Sequence, residues 1–212
     1  MEARTESRPK SDPEEVARDA PRPDRGRKVA LGLDLGTRCG YACTVFTPGR
    51  PFDLDRSGFL YIGQWDLSAG DYDSGAIRFV RLRQMLAALN PDIVFYEEPR
   101  FSPPAGLSAR GVAAVLGRAM TSAEFLGGLK TTLCTWCEEV GVPCLAYPIG
   151  SIKKFATGKG NAGKPEMIDA ANRHVRPTPA LEAEGYEQTG ADNMADATWA
   201  LLLGLSEHAL GA

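Results

Sequence analysis

An α/β fold, with a mixed five-stranded sheet flanked by helices, is predicted by three features of this sequence. Three strand-length apolar runs follow one another closely once the globular pattern begins at Val29. From about residue 75, segments with helical periodicity alternate with two further strand-length runs. No segment repeats another. Strands in succession, followed by alternating helix and strand, are the pattern of helices layered on a mixed sheet.

Each element has its own warrant. The first strand, about residues 29–35, carries Val29, Leu31, Leu33 and Leu35, and Gly36 and Gly40 allow the chain to reverse tightly. Strands at about 40–47 and 57–64 continue the meander. A helix at about 75–89 places Ile77, Val80, Leu82, Leu86 and Leu89 mostly on one side. Pro91-Asp-Ile-Val-Phe-Tyr-Glu-Glu98 gives a strand at 92–97 that ends in carboxylates. Residues 99–118 are rich in Pro, Gly and Ser and are expected to form a loop. A long helix is expected at 119–140, a short strand at 143–147 and a helix from about 150. A Gly-rich connection at 158–163, a further helix and a last helix at 192–208 complete the domain, 29–212. Residues 1–28 hold 15 charged residues and four prolines, with Val16 the only branched aliphatic, so a disordered arm is expected there.

Composition narrows the function. With 212 residues and 43% hydrophobic content, one core is the default. The net charge of −3 argues against a polycation, but Lys153, Lys154, Lys159, Lys164, Arg173 and Arg176 face only Glu166 and Asp169 over residues 149–176. That excess suits a phosphate backbone, although a solvated helix face is the commoner fate of such a run. The five cysteines, the charged N-terminus and the lack of any stretch of about 18 apolar residues suggest a cytoplasmic protein with reduced thiols. Cys134-Thr-Trp-Cys137 lies within a helical pattern with no second pair, and core packing is its better reading. With only His174 and His208 present, a Ser-His-Asp or Cys-His enzyme is improbable.

Carboxylates mark the chemistry. Asp34 ends an apolar strand, where a lone buried acid needs a cation or hydrogen-bond donors; it is a metal- or phosphate-site residue, or the cap of a turn. Glu97 and Glu98 end another strand. Asp192 and Asp196 are four apart and share one face of the last helix, unless Asp192 is only its N-cap. Three elements thus each bring acid groups to one end, the arrangement of a site for hard divalent cations.

In order, "GLDLGTRCGYA", "PDIVFYEEP", "IGSIKKFATGKGNAGKPEMIDAA" and "DNMADATWALLL" resemble the RuvC family of Holliday junction resolvases, most closely its phage branch, over about residues 29–208. The resemblance implies a ribonuclease H-like fold, a homodimer and Mg²⁺-dependent cutting of four-way DNA junctions, with two Mg²⁺ per active site and Mn²⁺ as a substitute. It implies Asp34, Glu97, Asp192 and Asp196 as catalytic metal ligands. Asn193 stands where the family has its other aspartate, and Asp192 serves nearly the same helical face. Glu98, next to Glu97, points to the opposite side of its strand. Lys153, Lys154 and Lys159, with Lys164 in the same run, correspond to DNA-contacting positions, and Phe101 to an aromatic that stacks on unpaired bases. Two cations about 4 Å apart suit phosphodiester hydrolysis, and carboxylates suit the cations.

Two other families share part of this pattern. Actin-like and sugar-kinase ATPases also use a "GLDLGT" turn, but they need a second phosphate loop. A YqgF-like RNA-processing nuclease opens on a similar strand but lacks the "KKFATGKGNAGK" run. A non-catalytic binding protein on the same fold would be favoured by loss of an acid, and all four are present.

Overall fold

The structure is a computed structural model describing residues 2–5, 9–24, 26–53, 59–99 and 109–208; for residue 2 and residues 109–122 it describes the backbone alone. Its strands are β1 (Glu2–Thr5), β2 (Lys28–Asp34), β3 (Arg38–Phe46), β4 (Phe59–Asp66), β5 (Ile93–Glu97) and β6 (Cys144–Tyr147). Its helices are α1 (Pro13–Asp19), α2 (Ile77–Leu89), α3 (Ala109–Val140), α4 (Ile149–Thr157), α5 (Lys164–His174), the short α6 (Tyr186–Thr189) and α7 (Ala191–His208).

The sheet has six strands in the order β1-β4-β3-β2-β5-β6. β2, β3 and β4 form the expected antiparallel meander, while β5 pairs parallel with β2 and β6 parallel with β5. Side chains alternate between the two faces, and each face has its own core. Ala30, Ala42, Leu60, Ile62, Ile93 and Phe95 meet α4, α5 and α7 on one side. Leu31, Leu33, Tyr41, Trp65, Val94 and Tyr96 meet α2 and the C-terminal half of α3 on the other. Cys137 is buried in this second core with Cys134 half-buried beside it, so the Cys-x-x-Cys pair is packing.

The sixth strand is a correction. The segment expected to be a disordered arm is folded onto the domain in its described residues. β1 pairs parallel with the edge strand β4, Ala3 is buried, and Thr178 N donates to Ala3 O at 2.8 Å from the other side. Lys10 N donates to Gln64 O and Asp66 N to Lys10 O, both at 2.8 Å. The buried Lys10 ammonium pairs with Asp19 at 2.8 Å. Asp12 caps α1 by accepting from Glu14 N, Pro13 starts the helix, and Val16 is buried in the second core. Average composition missed this because an edge strand is ordered by backbone pairing and needs few inward side chains.

Two further expectations change. α3 begins at Ala109, so its first ten residues occupy part of the stretch expected to be loop; residues 100–108 and Phe101 lie outside the described residues. In α2 the buried face is Leu82, Met85, Leu86 and Leu89, whereas Val80 is exposed.

The last helix lies unusually close to the sheet. A methyl group on Gly32 would collide with the Ala197 carbonyl and lie 2.6 Å from Leu201 Cβ, and one on Gly40 would collide with the Asn193 backbone. These two glycines let α7 seat its N-terminal turns directly over β2 and β3.

Candidate active site

The acids converge because strand register and helix approach agree. β2 and β5 run parallel with Leu33 opposite Tyr96, so Asp34 and Glu97 end neighbouring strands. Both belong to the face on which Gly32 and Phe95 meet α7. Glu98 lies on the other side, where Lys130 of α3 reaches its carboxylate at 3.5 Å. On α7, Asp192 lies within the first turn and Asp196 one turn further, where it is buried. Asn193 turns away and donates from Nδ2 to Arg38 O at 3.1 Å. The loop before α7 is fixed to the sheet by Gln64 Nε2, which donates to Gly190 O at 2.9 Å.

A lysine forms ion pairs with two of the four acids. Lys164 Nζ lies 2.9 Å from Asp192 Oδ2 and 3.0 Å from Asp196 Oδ2. It does not satisfy the set: Asp196 Oδ1 and Glu97 Oε2 are buried with no hydrogen-bond partner. Buried oxygens of this kind nearly always have a partner. Among the described residues, no group of three or more Asp, Glu, His or Cys side chains already has the arrangement of a metal cage.

The electrostatics carry the same message. Burial, reinforced by Glu97 and Asp196, holds Asp34 well above the ordinary carboxylate range. Burial, with Asp196 beside it, pushes Glu97 up to about 7. Burial also raises Asp196, outweighing the ion pair with Lys164 that pulls it down. For Lys164, burial alone would lower the pKa, but Asp196 and Asp192 together raise it. A cluster of carboxylates that resist ionisation is short of positive charge, and two oxygens are free to take it. The residues present therefore fit a divalent cation with oxygen ligands.

Comparison with known proteins places the chain beside junction-cutting nucleases. No protein-family model matches the chain. The crossover junction endodeoxyribonuclease RuvC of Anaeromyxobacter dehalogenans (strain 2CP-C) is 27% identical over 157 residues, 74% of each chain. That of Salinispora arenicola is 29% identical over 164 residues, covering 73% of this chain and 81% of its own. Thermus thermophilus RuvC in complex with a Holliday junction substrate superposes with a TM-score of 0.59 at 18% identity, covering 87% of this chain and 96% of its own. The yeast mitochondrial Holliday junction resolvase Ydc2 gives 0.51 at 15% identity, over 93% and 85%. The chain is similar to RuvC in sequence and in fold.

Its mixed sheet flanked by helices has the ribonuclease H-like fold of these structures, and β1 makes the sheet six-stranded. On this RuvC-like frame the basic run divides. Lys154 and Lys159 are exposed, Lys159 pairing loosely with Glu166 at 3.6 Å, while Lys153 is half-buried and its charge acts on Glu97 and Asp196. Lys164, expected with them on a DNA-facing surface, is instead held by the acids. A signal for this was present: Lys164 is the first residue of α5, where the helix dipole disfavours a cation, so its charge needed anions nearby. No helix among the described residues is long and apolar enough to cross a membrane.

Proposed function

We propose that this chain is a metal-dependent endodeoxyribonuclease that resolves four-way DNA junctions, hydrolysing phosphodiesters to 5′-phosphate and 3′-hydroxyl ends. The observation that carries the reading is the pair of buried, unpartnered oxygens of Glu97 and Asp196, set among Asp34 and Asp192 on a RuvC-like fold. These four carboxylates would hold Mg²⁺, two ions per site, or Mn²⁺ in its place. Such ions supply an activated water and stabilise charge on the phosphate and the leaving oxygen. The protein's own part is to fix the acids on rigid elements and to guide the backbone. Lys153, beside Glu97 and Asp196, orients the reacting phosphate; Lys154 and Lys159 hold the flanking strand through phosphate charge rather than base identity. Phe101 is proposed to stack on unpaired bases. Symmetric resolution needs two such sites, hence a homodimer.

The test is a synthetic four-way junction with each strand end-labelled in turn, compared with linear duplex and RNA. Paired nicks at opposed positions, dependent on Mg²⁺ and absent from the linear duplex, are expected. Asp34→Asn should bind the junction and leave it uncut. Preferential cutting of RNA, or cutting that survives Asp34→Asn, overturns the proposal.

A further inference from the structure

Lys164 stands between two carboxylates that the proposed function gives to a metal, and the way it is held suggests more than an ion pair. Its ammonium contacts Oδ2 of both Asp192 and Asp196, at 2.9 and 3.0 Å. The other oxygen of Asp196 is buried and has no partner, as is the case for Glu97 Oε2. Nothing in its own helix favours that position. Lys164 is the first residue of α5, at the positive end of the dipole, and the helix start is fixed there by Glu166, which accepts from Gly163 N at 2.7 Å. The acids hold the lysine, and they hold it incompletely: one oxygen each of Asp196 and Glu97 stays buried without a partner.

We infer that Lys164 is a tethered counter-ion: its ammonium holds Asp192 and Asp196 in place and is displaced when a divalent cation takes those oxygens. Metal binding here is then an exchange of one cation for another. A divalent ion takes more oxygens and carries twice the charge. A divalent ion and an ammonium sharing the same two carboxylates would repel at a distance of a few ångströms. The lysine can leave at small cost, since its side chain is 38% exposed and sits on a flexible four-carbon stem. The inference rests on the metal-site reading above.

The test uses the full chain and reads metal binding rather than cleavage. Mn²⁺ binding by calorimetry should be about tenfold tighter in Lys164→Met than in the wild type, equivalent to about 1.4 kcal/mol. Partial screening of the ion pair by solvent keeps the gain from being larger. In ¹⁵N-labelled wild type, the ammonium signal of Lys164, assigned by its loss in the Met variant, should move to the position of a free lysine as Mg²⁺ is added. Wild-type affinity in Lys164→Met, or an ammonium signal unmoved at saturating Mg²⁺, overturns the exchange and leaves the metal site standing. If the wild type binds neither Mn²⁺ nor Mg²⁺, the metal site and the exchange fall together. Circular dichroism checks the fold of Lys164→Met, and Lys164→Gln, as the second variant, supplies the assignment and the affinity comparison if the first fails to fold.

Discussion

Replacing Glu97 by Gln should make the protein more stable in EDTA at pH 8 while stopping the proposed cleavage. Glu97 is held at about 7, against 4.5 for an ordinary glutamate, by burial first and by Asp196 second. Folded chains thus bind more protons than unfolded ones between those two values, and stability falls as pH rises through that window. Each tenfold in a protonation equilibrium corresponds to about 1.4 kcal/mol, so ionising Glu97 at pH 8 costs the fold on the order of 3 kcal/mol. A neutral amide avoids that cost, although its buried NH₂ needs partners, so the figure is a ceiling. For a domain of this size the ceiling corresponds to roughly 6–12 °C in melting temperature. Thermal unfolding of wild type and Glu97→Gln at pH 5 and pH 8 supplies the measurement. At pH 5 the wild-type carboxyl is protonated and the two curves should nearly coincide; at pH 8 the variant should melt higher. Asp34 and Asp196 add their own decline to both proteins, and Asp34 adds less in the variant, where the Glu97 charge that raises it is gone, so the gap at pH 8 widens in the same direction. A variant that melts lower at pH 8, or a gap of equal size at both pH values, refutes the electrostatic account. Added Mg²⁺ should raise the melting point of the wild type more than that of the variant.

Three further outcomes follow from particular side chains. Glu98→Gln should retain cleavage within a few-fold in a junction-nicking assay, because Glu98 faces Lys130 and not the acid cluster; inactivity would mean the register of β5 is misjudged. A chain beginning at Arg27 should lose several degrees of melting temperature by calorimetry, since burying Val16 alone is worth roughly 1.5–3 kcal/mol; an unchanged midpoint would show that β1 and α1 contribute nothing. Neutralising Lys153, Lys154 and Lys159 together should flatten the salt dependence of junction affinity by roughly one log–log unit for each phosphate left without its cation, and an unchanged slope would make the run a solvated face.

Much of the site was legible because it obeys local rules. Asp34 and Glu97 end apolar strands, and strand alternation alone separates Glu97 from Glu98. Asp192 and Asp196 share a helical face by spacing, and their neighbour Asn193 faces Arg38 instead. What was not legible depends on distant parts of the chain. The partners of Lys164 lie 28 and 32 residues further on, and only folding brings them to its ammonium. The order of residues 2–5 and 9–19 comes from edge pairing with β4 and from one inward valine, which an average over 28 residues conceals. The Asp-Pro-Glu-Glu run at 12–15 was the readable sign of a capped helix inside that segment. The start of α3 was hidden in a stretch whose glycines and serines argue for loop.

The seating of α7 on Gly32 and Gly40 has a consequence for how the molecule comes into being. A ribosome delivers Asp34 and Glu97 early, but their partners Asp192 and Asp196 emerge only after nearly the whole domain has been made. Until then the strand surface around the two glycines lacks the helix that covers it, and half of the acid set does not exist. Non-local pairing of this kind is slow to form, because distant ends must meet before any contact rewards the closure. A chain that stops before α7 therefore lacks two of the four acids of the proposed site.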